Sequence, residues 1–206
     1  MTIETWLLFV LVAIVPAISP GPAIFLAVSN VLQFGRSATL ISAAANALGL
    51  VIVGLATSLG LGAVMAASAF AFTLLKIAGA VYLIWLGIKS WRDKSHFVEK
   101  QENGNGPRGQ RLFFSALFVS LTNPKAIILI AALFPPFIAQ NGSFIQQALI
   151  LSLTYAFLCF ANHVLIAQLG GRMRQYFSDF RRLIIMRRTL GVVFISFGAA
   201  LAAARR

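Results

Sequence analysis

The chain has 206 residues, of which 59% are hydrophobic and 11% are charged, and its formal net charge is +12. Soluble domains carry roughly 25% charged residues, so this composition excludes an ordinary soluble domain and is typical of a membrane protein. The basic residues lie mainly between long apolar runs, as in cytoplasmic loops of membrane proteins, and nucleic acid is therefore not a predicted partner.

Long apolar runs predict six transmembrane helices in one domain that covers residues 1–206. A run of about 18 apolar residues is long enough to cross a bilayer. The N-terminal run is too long for the core of a signal peptide and no basic residue precedes it, so we expect a retained helix. The helices are predicted at residues 6–28, 39–63, 69–88, 112–138, 146–169 and 184–204, with a polar loop at 89–111.

Positively charged residues set the predicted orientation of these helices. The loops after the first, third and fifth helices contain nearly all of the basic residues outside the helices. Because cytoplasmic loops carry the excess of lysine and arginine, these three loops are predicted to be cytoplasmic and both termini external. The weakest boundary lies near Ala67, and the N-terminus moves inside if the second and third helices do not both span.

Two prolines and a glycine interrupt the first helix near its middle, in the stretch Ser19-Pro20-Gly21-Pro22-Ala23. A proline inside a helix removes a hydrogen bond and clashes with the preceding turn. Within a bilayer, such a break is tolerated only where protein or a water-filled cavity surrounds it. The sequence therefore predicts a broken helix beside a cavity.

The fourth helix has a second break, at Asn123-Pro124-Lys125, and the two halves of the chain share a pattern. The pattern is a basic residue, a glycine and an aromatic residue at spacings of three: Lys76, Gly79 and Tyr82 in the third helix, and Arg188, Gly191 and Phe194 in the sixth. With three helices in each half, the second copy must be inverted. The predicted fold is an all-α integral membrane protein with a 3+3 inverted repeat and proline-broken helices 1 and 4. The alternative is chance similarity between glycine-rich helices.

The two breaks predict a binding site for an anionic group near the bilayer midplane. A proline in the first turn of a half-helix leaves N–H groups and the positive end of the helix dipole available to an anion. Lys125 adds a full charge where a lysine costs roughly 2.5–3.5 kcal/mol, which indicates a function. The alternatives are a structural partner for Lys125 and, for Lys76, snorkelling to the interface. The substrate-binding candidates are Pro20, Gly21, Pro22, Asn46, Lys76, Tyr82, Asn123, Pro124 and Lys125.

Other polar residues lie inside the predicted helices. Asn46 is expected to point inward, either to contact substrate or to hydrogen-bond another helix. His163 and Asn162 in the fifth helix are candidates for coupling or gating, because histidine titrates near physiological pH, but a packed histidine is an equal alternative. The single cysteine, Cys159, excludes an intrachain disulfide. No metal-ligand cluster, nucleophile constellation or phosphate loop occurs in the sequence, so we expect no metal, no cofactor and no enzymatic activity.

Three motifs resemble the LysE/RhtB family of bacterial amino-acid exporters, in particular its homoserine/threonine/leucine exporter-like branch. They are "SPGPA", "LKIAGAVYLIWLGIKSWR" at residues 75–92 and "NPKAIILIAALFPPF" at residues 123–137. The resemblance covers essentially the whole chain and implies a multi-pass protein of the bacterial inner membrane that expels an amino acid. Some family members carry acids in the second or fifth helix where this chain has Asn46 and Ala156, which leaves the proton route open and argues against a cationic substrate.

The predicted function is secondary active export of a neutral amino acid, such as homoserine, threonine or a close derivative, driven by the proton-motive force. The predicted partners are this substrate, a coupling proton and the lipid bilayer, and a homo-oligomer is left open. Two other classes remain. One is a passive small-solute channel, whose flux would ignore the proton-motive force, and the other is a membrane protein that transports nothing.

Overall fold

The structure is a computed structural model that describes most of the chain. Lys76, Tyr82 and Pro20, which are three of the predicted site residues, lie outside the described residues, as does most of the predicted polar loop. The described ranges are 1–19, 21–67, 109–139, 142–178 and 180–203, together with selected residues between 74 and 92.

The described secondary structure is helical throughout. Between residues 74 and 92, every described residue is in a helix, and a short 3-10 turn covers Pro135–Phe137. The α-helices are α1 at Ile3–Ile18, α2 at Pro22–Ala67, α3 at Gly109–Leu121, α4 at Pro124–Leu133, α5 at Phe144–Ser178 and α6 at Phe180–Ala203.

The chain reverses inside α2, at Gly35. This glycine has φ 81° and ψ −171°, a conformation that other residues rarely adopt. Asn30 Nδ2 donates to Ser42 Oγ at 2.6 Å, although the two residues are 12 positions apart. An uninterrupted helix would separate them by about 18 Å, so residues 22–34 and 36–67 are two arms that fold back on each other. The reversal lies between the first two predicted helices, which cover residues 6–28 and 39–63.

The first predicted helix is two half-helices. α1 begins after Thr2, whose side-chain oxygen accepts from Thr5 N at 3.2 Å. It ends at Ile18, and Ser19 is extended, with φ −72° and ψ 131°. Proline is well tolerated in a first helical turn, and α2 accordingly begins at Pro22. The break lies where the sequence predicts it, but the helical segments extend beyond the predicted residues 6–28 at both ends.

The fourth predicted helix is interrupted in the same way. α3 ends at Leu121, and Asn123 caps α4 by accepting a hydrogen bond from Lys125 N at 3.1 Å. The two segments are bent by 51° relative to each other. α4 ends at Leu133, because the prolines at 135 and 136 lack the N–H groups that would continue it.

The basic segment after the fifth predicted helix is helical, whereas the sequence predicts a loop. Residues 171–178 continue as helix beyond a bend at Gly170, which has φ 22° and ψ −98°. α6 begins at Phe180 rather than near residue 184. Arginine, glutamine and methionine are good helix formers, and charge alone therefore does not mark the end of a helix.

Several of the helices are apolar enough for a bilayer. Among the described residues, Pro22–Gly60 and Phe144–Gly170 are long and apolar enough to cross it, and the bent pair formed by α3 and α4 makes a third span if it counts as one. Because the chain reverses at Gly35, only part of Pro22–Gly60 spans the bilayer, namely the arm at residues 36–60. This arm is about 37 Å long at 1.5 Å per residue. The 3+3 inverted repeat stays a prediction.

Aromatic side chains and close helix contacts hold these elements together. Phe9 of α1 stacks edge-to-face on Phe134 at 5.7 Å and on Phe137 at 5.3 Å. α2 packs mainly against α5 and α3. A Cβ at Gly49 would lie 2.6 Å from Ser120 Cβ, and one at Gly54 would lie 2.8 Å from Ser152 Cβ. Small residues thus allow close backbone approach, as is common between membrane helices.

We predict that Gly54→Ala destabilises the fold. The added methyl group would overlap the base of the Ser152 side chain, and relieving such overpacking costs about 1–3 kcal/mol. Gly60→Ala in the same helix is the matched control, because a Cβ there has no neighbour within 4 Å. Thermal denaturation in detergent should show a lower midpoint for Gly54→Ala alone. Equal midpoints would mean that the two helices separate easily.

Candidate functional site

The side chain of Lys125 joins the two helix breaks. Its Nζ donates to the backbone carbonyl of Ser19 at 2.9 Å and also to the Ser19 hydroxyl, across 106 positions of sequence. The ring of Phe194 in α6 lies 5.7 Å from the same Nζ. Ser19 follows the C-terminal end of α1, where carbonyl groups and the helix dipole favour a cation. Lys125 is therefore held at the point where α1, α4 and α6 meet.

Gly21 makes room for this lysine. A Cβ built on Gly21 would lie 3.2 Å from Lys125 Cδ and 3.3 Å from its Nζ. These distances are shorter than ordinary van der Waals contacts, so a side chain at position 21 would push the ammonium group aside. The glycine between the two prolines thus has a steric role beside the charge.

A cavity of about 40 Å³ lies next to Lys125. It is large enough for more than one water molecule. The beginnings of α2 and α4 both reach it, with Gly21 and Ala23 on one side and Asn123 and Ala126 on the other. Its lining consists of Pro16, Ala17, Ser19, Gly21, Ala23, Ile24, Asn46, Leu50, Asn123, Lys125, Ala126, Tyr155, Cys159 and His163.

The cavity has a single formal charge among its described lining residues, that of Lys125. The positive ends of two helix dipoles point towards it, because α2 and α4 both begin there. None of the lining residues that the structure describes is an aspartate or a glutamate. The electrostatic character of the described lining therefore favours an anionic group.

One face of α5 supplies three polar side chains to the cavity. Tyr155, Cys159 and His163 follow each other at spacings of four, which places them on the same side of a helix. Tyr155 and Cys159 are both buried. His163 is 3% exposed, and its Nδ1 has no hydrogen-bond partner within the part of the chain that the structure describes.

The structure brings five of the predicted site residues together at this cavity: Gly21, Asn46, Asn123, Lys125 and His163. Pro22 and Pro124 begin the two half-helices beside it. Asn162 instead donates from Nδ2 to the carbonyl of Ala17 at 3.1 Å, so its observed contact supports the end of α1. The backbone carbonyl of Asn46 accepts from Ser120 Oγ at 3.1 Å, while its side chain lines the cavity.

One detail of the predicted anion site needs correction. The sequence predicts free N–H groups at the start of the fourth helix's second half. The side chain of Asn123 accepts the hydrogen bond of Lys125 N, so this N–H group is occupied. Asn123 acts as an ordinary N-cap. What α4 offers an anion is therefore the positive end of its dipole and the charge of Lys125, rather than a row of free N–H groups.

We predict that Asn123→Ala lowers thermal stability by about 1 kcal/mol, the usual cost of losing an N-cap. Asn123→Ser is the control, because a serine oxygen caps a helix about as well as an asparagine. Denaturation midpoints of the two variants in detergent should differ, with the serine variant close to the wild type. A serine variant as unstable as the alanine variant would show that Asn123 stabilises the fold by other contacts.

The sequence profile of the LysE type translocators matches residues 14–205. The chain belongs to this family. It is 34% identical to a homoserine/homoserine lactone efflux protein of Salmonella typhimurium, over 100% of the chain and 99% of that relative. It is 26% identical to a leucine efflux protein of Klebsiella pneumoniae, over 96% of the chain and 94% of that relative. A Vibrio cholerae membrane protein is 34% identical over the full length of both chains. No solved structure matches.

Membership of the family establishes the class of protein. A LysE type translocator is a multi-pass protein of the bacterial cytoplasmic membrane, and it is an efflux protein rather than an enzyme.

Three polar lining residues of this translocator are absent from the predicted site: Ser19, Tyr155 and Cys159. The spacing of four between Tyr155, Cys159 and His163 is a signal that could have identified two of them from sequence. Ser19 could not be identified in this way, because its role depends on a contact with Lys125 that is remote in sequence.

Proposed function

We propose that this translocator is a secondary active exporter of a neutral amino acid, such as homoserine, threonine or a close derivative. The observation that carries the proposal is the position of Lys125, at the junction of two broken helices and beside a cavity that contains no described acidic residue. Discontinuous helices whose ends surround a small cavity are typical of transporter substrate sites. The names of two relatives, which describe efflux of homoserine and of leucine, support the same substrate class.

The substrate carboxylate binds the ammonium group of Lys125. In the described state this group is hydrogen-bonded to Ser19, so the carboxylate must compete with Ser19 for it. The carboxylate carries a full negative charge, whereas the Ser19 carbonyl is a neutral dipole, and this difference favours the exchange. The exchange releases the end of α1 from α4 and thereby couples occupancy of the site to movement of one broken helix against the other.

The proposed architecture is six helices in a 3+3 inverted repeat, with both termini outside the cell and the basic loops in the cytoplasm. Two contacts support inversion. A Cβ at Gly87 would lie 2.6 Å from the Gly191 carbonyl, and one at Gly198 would lie 2.8 Å from the Ala80 carbonyl. The first contact pairs residue 87 with residue 191, and the second pairs residue 80 with residue 198. Residue numbers thus fall along one helix while they rise along the other, so these two helices are antiparallel. Inversion of a three-helix unit requires this orientation for the third and sixth helices.

Coupling to the proton-motive force is part of the proposal. Because the described cavity lining has no carboxylate, the candidates for a proton carrier are His163 and the substrate itself. Efflux of labelled amino acids from preloaded cells, with and without a protonophore, tests the function. We expect faster loss of a neutral amino acid that stops when the protonophore is added. Loss that persists would indicate a passive channel, and no loss from cells containing the protein in their membrane would contradict export.

A further inference from the structure

Two polar residues of the cavity lining also border a second space. This narrow space, called the extension below, lies between α2, α3 and α5 and is too tight to admit a water molecule. Ala23, Asn46 and His163 line both the cavity and the extension. A molecule held by Lys125 would therefore meet Asn46 and His163 with its other end.

One of these two side chains lacks the partners that comparable residues in the same fold have. Asn46 is buried, with an exposed fraction of 4%, and lines the cavity. Nδ1 of His163 is buried and has no hydrogen-bond partner among the described residues. Elsewhere, the amide of Asn30 donates to Ser42 at 2.6 Å. The amide of Gln147 both accepts from Ala139 N at 2.8 Å and donates to its carbonyl at 3.0 Å.

An unpaired buried polar atom costs about 1–3 kcal/mol, so Nδ1 of His163 requires an explanation. Packing alone does not supply one, since apolar side chains would avoid the cost. A ligand that brings a hydrogen-bonding group to this place does explain it. We propose that Asn46 and His163 form the subsite that recognises the side chain of the substrate, and that they select short hydroxylated amino acids over aliphatic ones of the same size.

The spacing of residues along α5 fits this assignment, which rests on the proposed function. Cys159 lines the cavity together with Lys125. His163 is four residues further along α5, or about 6 Å along the helix axis. In an amino acid with a four-carbon chain, bonds of about 1.5 Å separate the carboxylate from a terminal hydroxyl by about 5 Å. One helical turn on α5 therefore matches the distance between the two ends of such a substrate.

The small residues in the extension limit the size of the side chain. The extension is lined by Ala23, Leu26, Ala27, Ser42 and Ala116 together with Asn46 and His163, and no space for a water remains. A branched side chain such as that of leucine would require the helices to separate. A site built to hydrogen-bond a hydroxyl group also rejects an analogue that lacks it, because the buried polar groups then stay unpaired.

The test uses pairs of amino acids in which one member has a hydroxyl group where the other has a methyl group: homoserine with norvaline, and threonine with valine. Efflux of each is measured from preloaded cells, and the ratio within a pair is independent of the amount of protein. We expect the wild type to export the hydroxylated member at least about tenfold faster. His163→Leu and Asn46→Leu should bring the ratio to within about twofold of one, and His163→Asn, which keeps a polar atom near the position of Nδ1, should retain the preference.

Ser58→Ala is the matched control. The Ser58 hydroxyl is also buried and unpartnered among the described residues, but it lines neither the cavity nor the extension. The efflux ratio within each pair should be the same for Ser58→Ala as for the wild type. A wild type that exports both members of each pair equally, or leucine variants that export more slowly with an unchanged ratio, would overturn the subsite and leave the proposed function intact. A wild type that exports no amino acid would overturn both.

Discussion

Replacing Lys125 by methionine is expected to reduce efflux by about 10- to 150-fold, because a hydrogen bond to a charged group contributes about 1.5–3 kcal/mol. Methionine keeps most of the apolar stem, so packing against Phe194 and Gly21 changes little. The variant loses only the ammonium group that we propose as the partner of the substrate carboxylate. The measurement is the rate of labelled amino-acid efflux, divided by the amount of protein in the membrane.

The same substitution should leave the fold as stable as before or make it more stable. A lysine in the middle of a membrane span costs roughly 2.5–3.5 kcal/mol to insert, and methionine removes this cost. Lys89→Met is the control, because Lys89 is exposed and lies beside the ring of Trp85 at 4.9 Å. A Lys125→Met protein that denatures at a much lower temperature would indicate that the lysine mainly holds α1 and α4 together. Full efflux by this variant would remove Lys125 from the mechanism.

Replacing Gly21 is expected to reduce efflux with the lysine still present. In Gly21→Ala, the new Cβ would lie 3.2 Å from Lys125 Cδ, and the ammonium group must shift by a few tenths of an ångström. We expect about a tenfold loss, equivalent to the lower part of the 1–3 kcal/mol cost of overpacking. Gly21→Val adds an isopropyl group to the wall of a cavity of about 40 Å³ and should lower efflux to background.

Gly60→Ala provides the comparison for this series, since a Cβ at Gly60 has no neighbour within 4 Å. Its efflux should equal that of the wild type. If Gly21→Ala and Gly21→Val both transport normally, the space beside Lys125 is not needed during the transport cycle. That result would mean that the helix break, which the prolines produce, is independent of the binding site.

The backbone interruptions were predictable because they arise from local chemistry. The prolines of "SPGPA" and of the Asn123-Pro124-Lys125 stretch break their helices wherever they occur in a fold, and Gly35 marks a turn for a similarly local reason. The helical character of residues 171–178 was not predicted. A run of arginines suggests a loop by charge, whereas backbone propensity still favours a helix there.

The site was only partly predictable because much of it depends on contacts between distant parts of the chain. The charge of Lys125 inside an apolar run indicates a function from sequence alone. Its partner Ser19 is identified only after the two breaks are brought together in space. Cys159 appeared to be an isolated residue in an apolar run, and its position between Tyr155 and His163 on one face of α5 becomes meaningful only beside the cavity.

The most direct test of the site is to compare an amino acid with its own amide as competitors for transport. Uptake of labelled homoserine into energised inside-out membrane vesicles is measured with unlabelled threonine or threonine amide present. If Lys125 binds the substrate carboxylate, threonine should compete at least about tenfold better than its amide, since the amide lacks the charge, and Lys125→Met should abolish this difference. Equal competition by threonine and its amide in the wild type would contradict recognition of the carboxylate by Lys125.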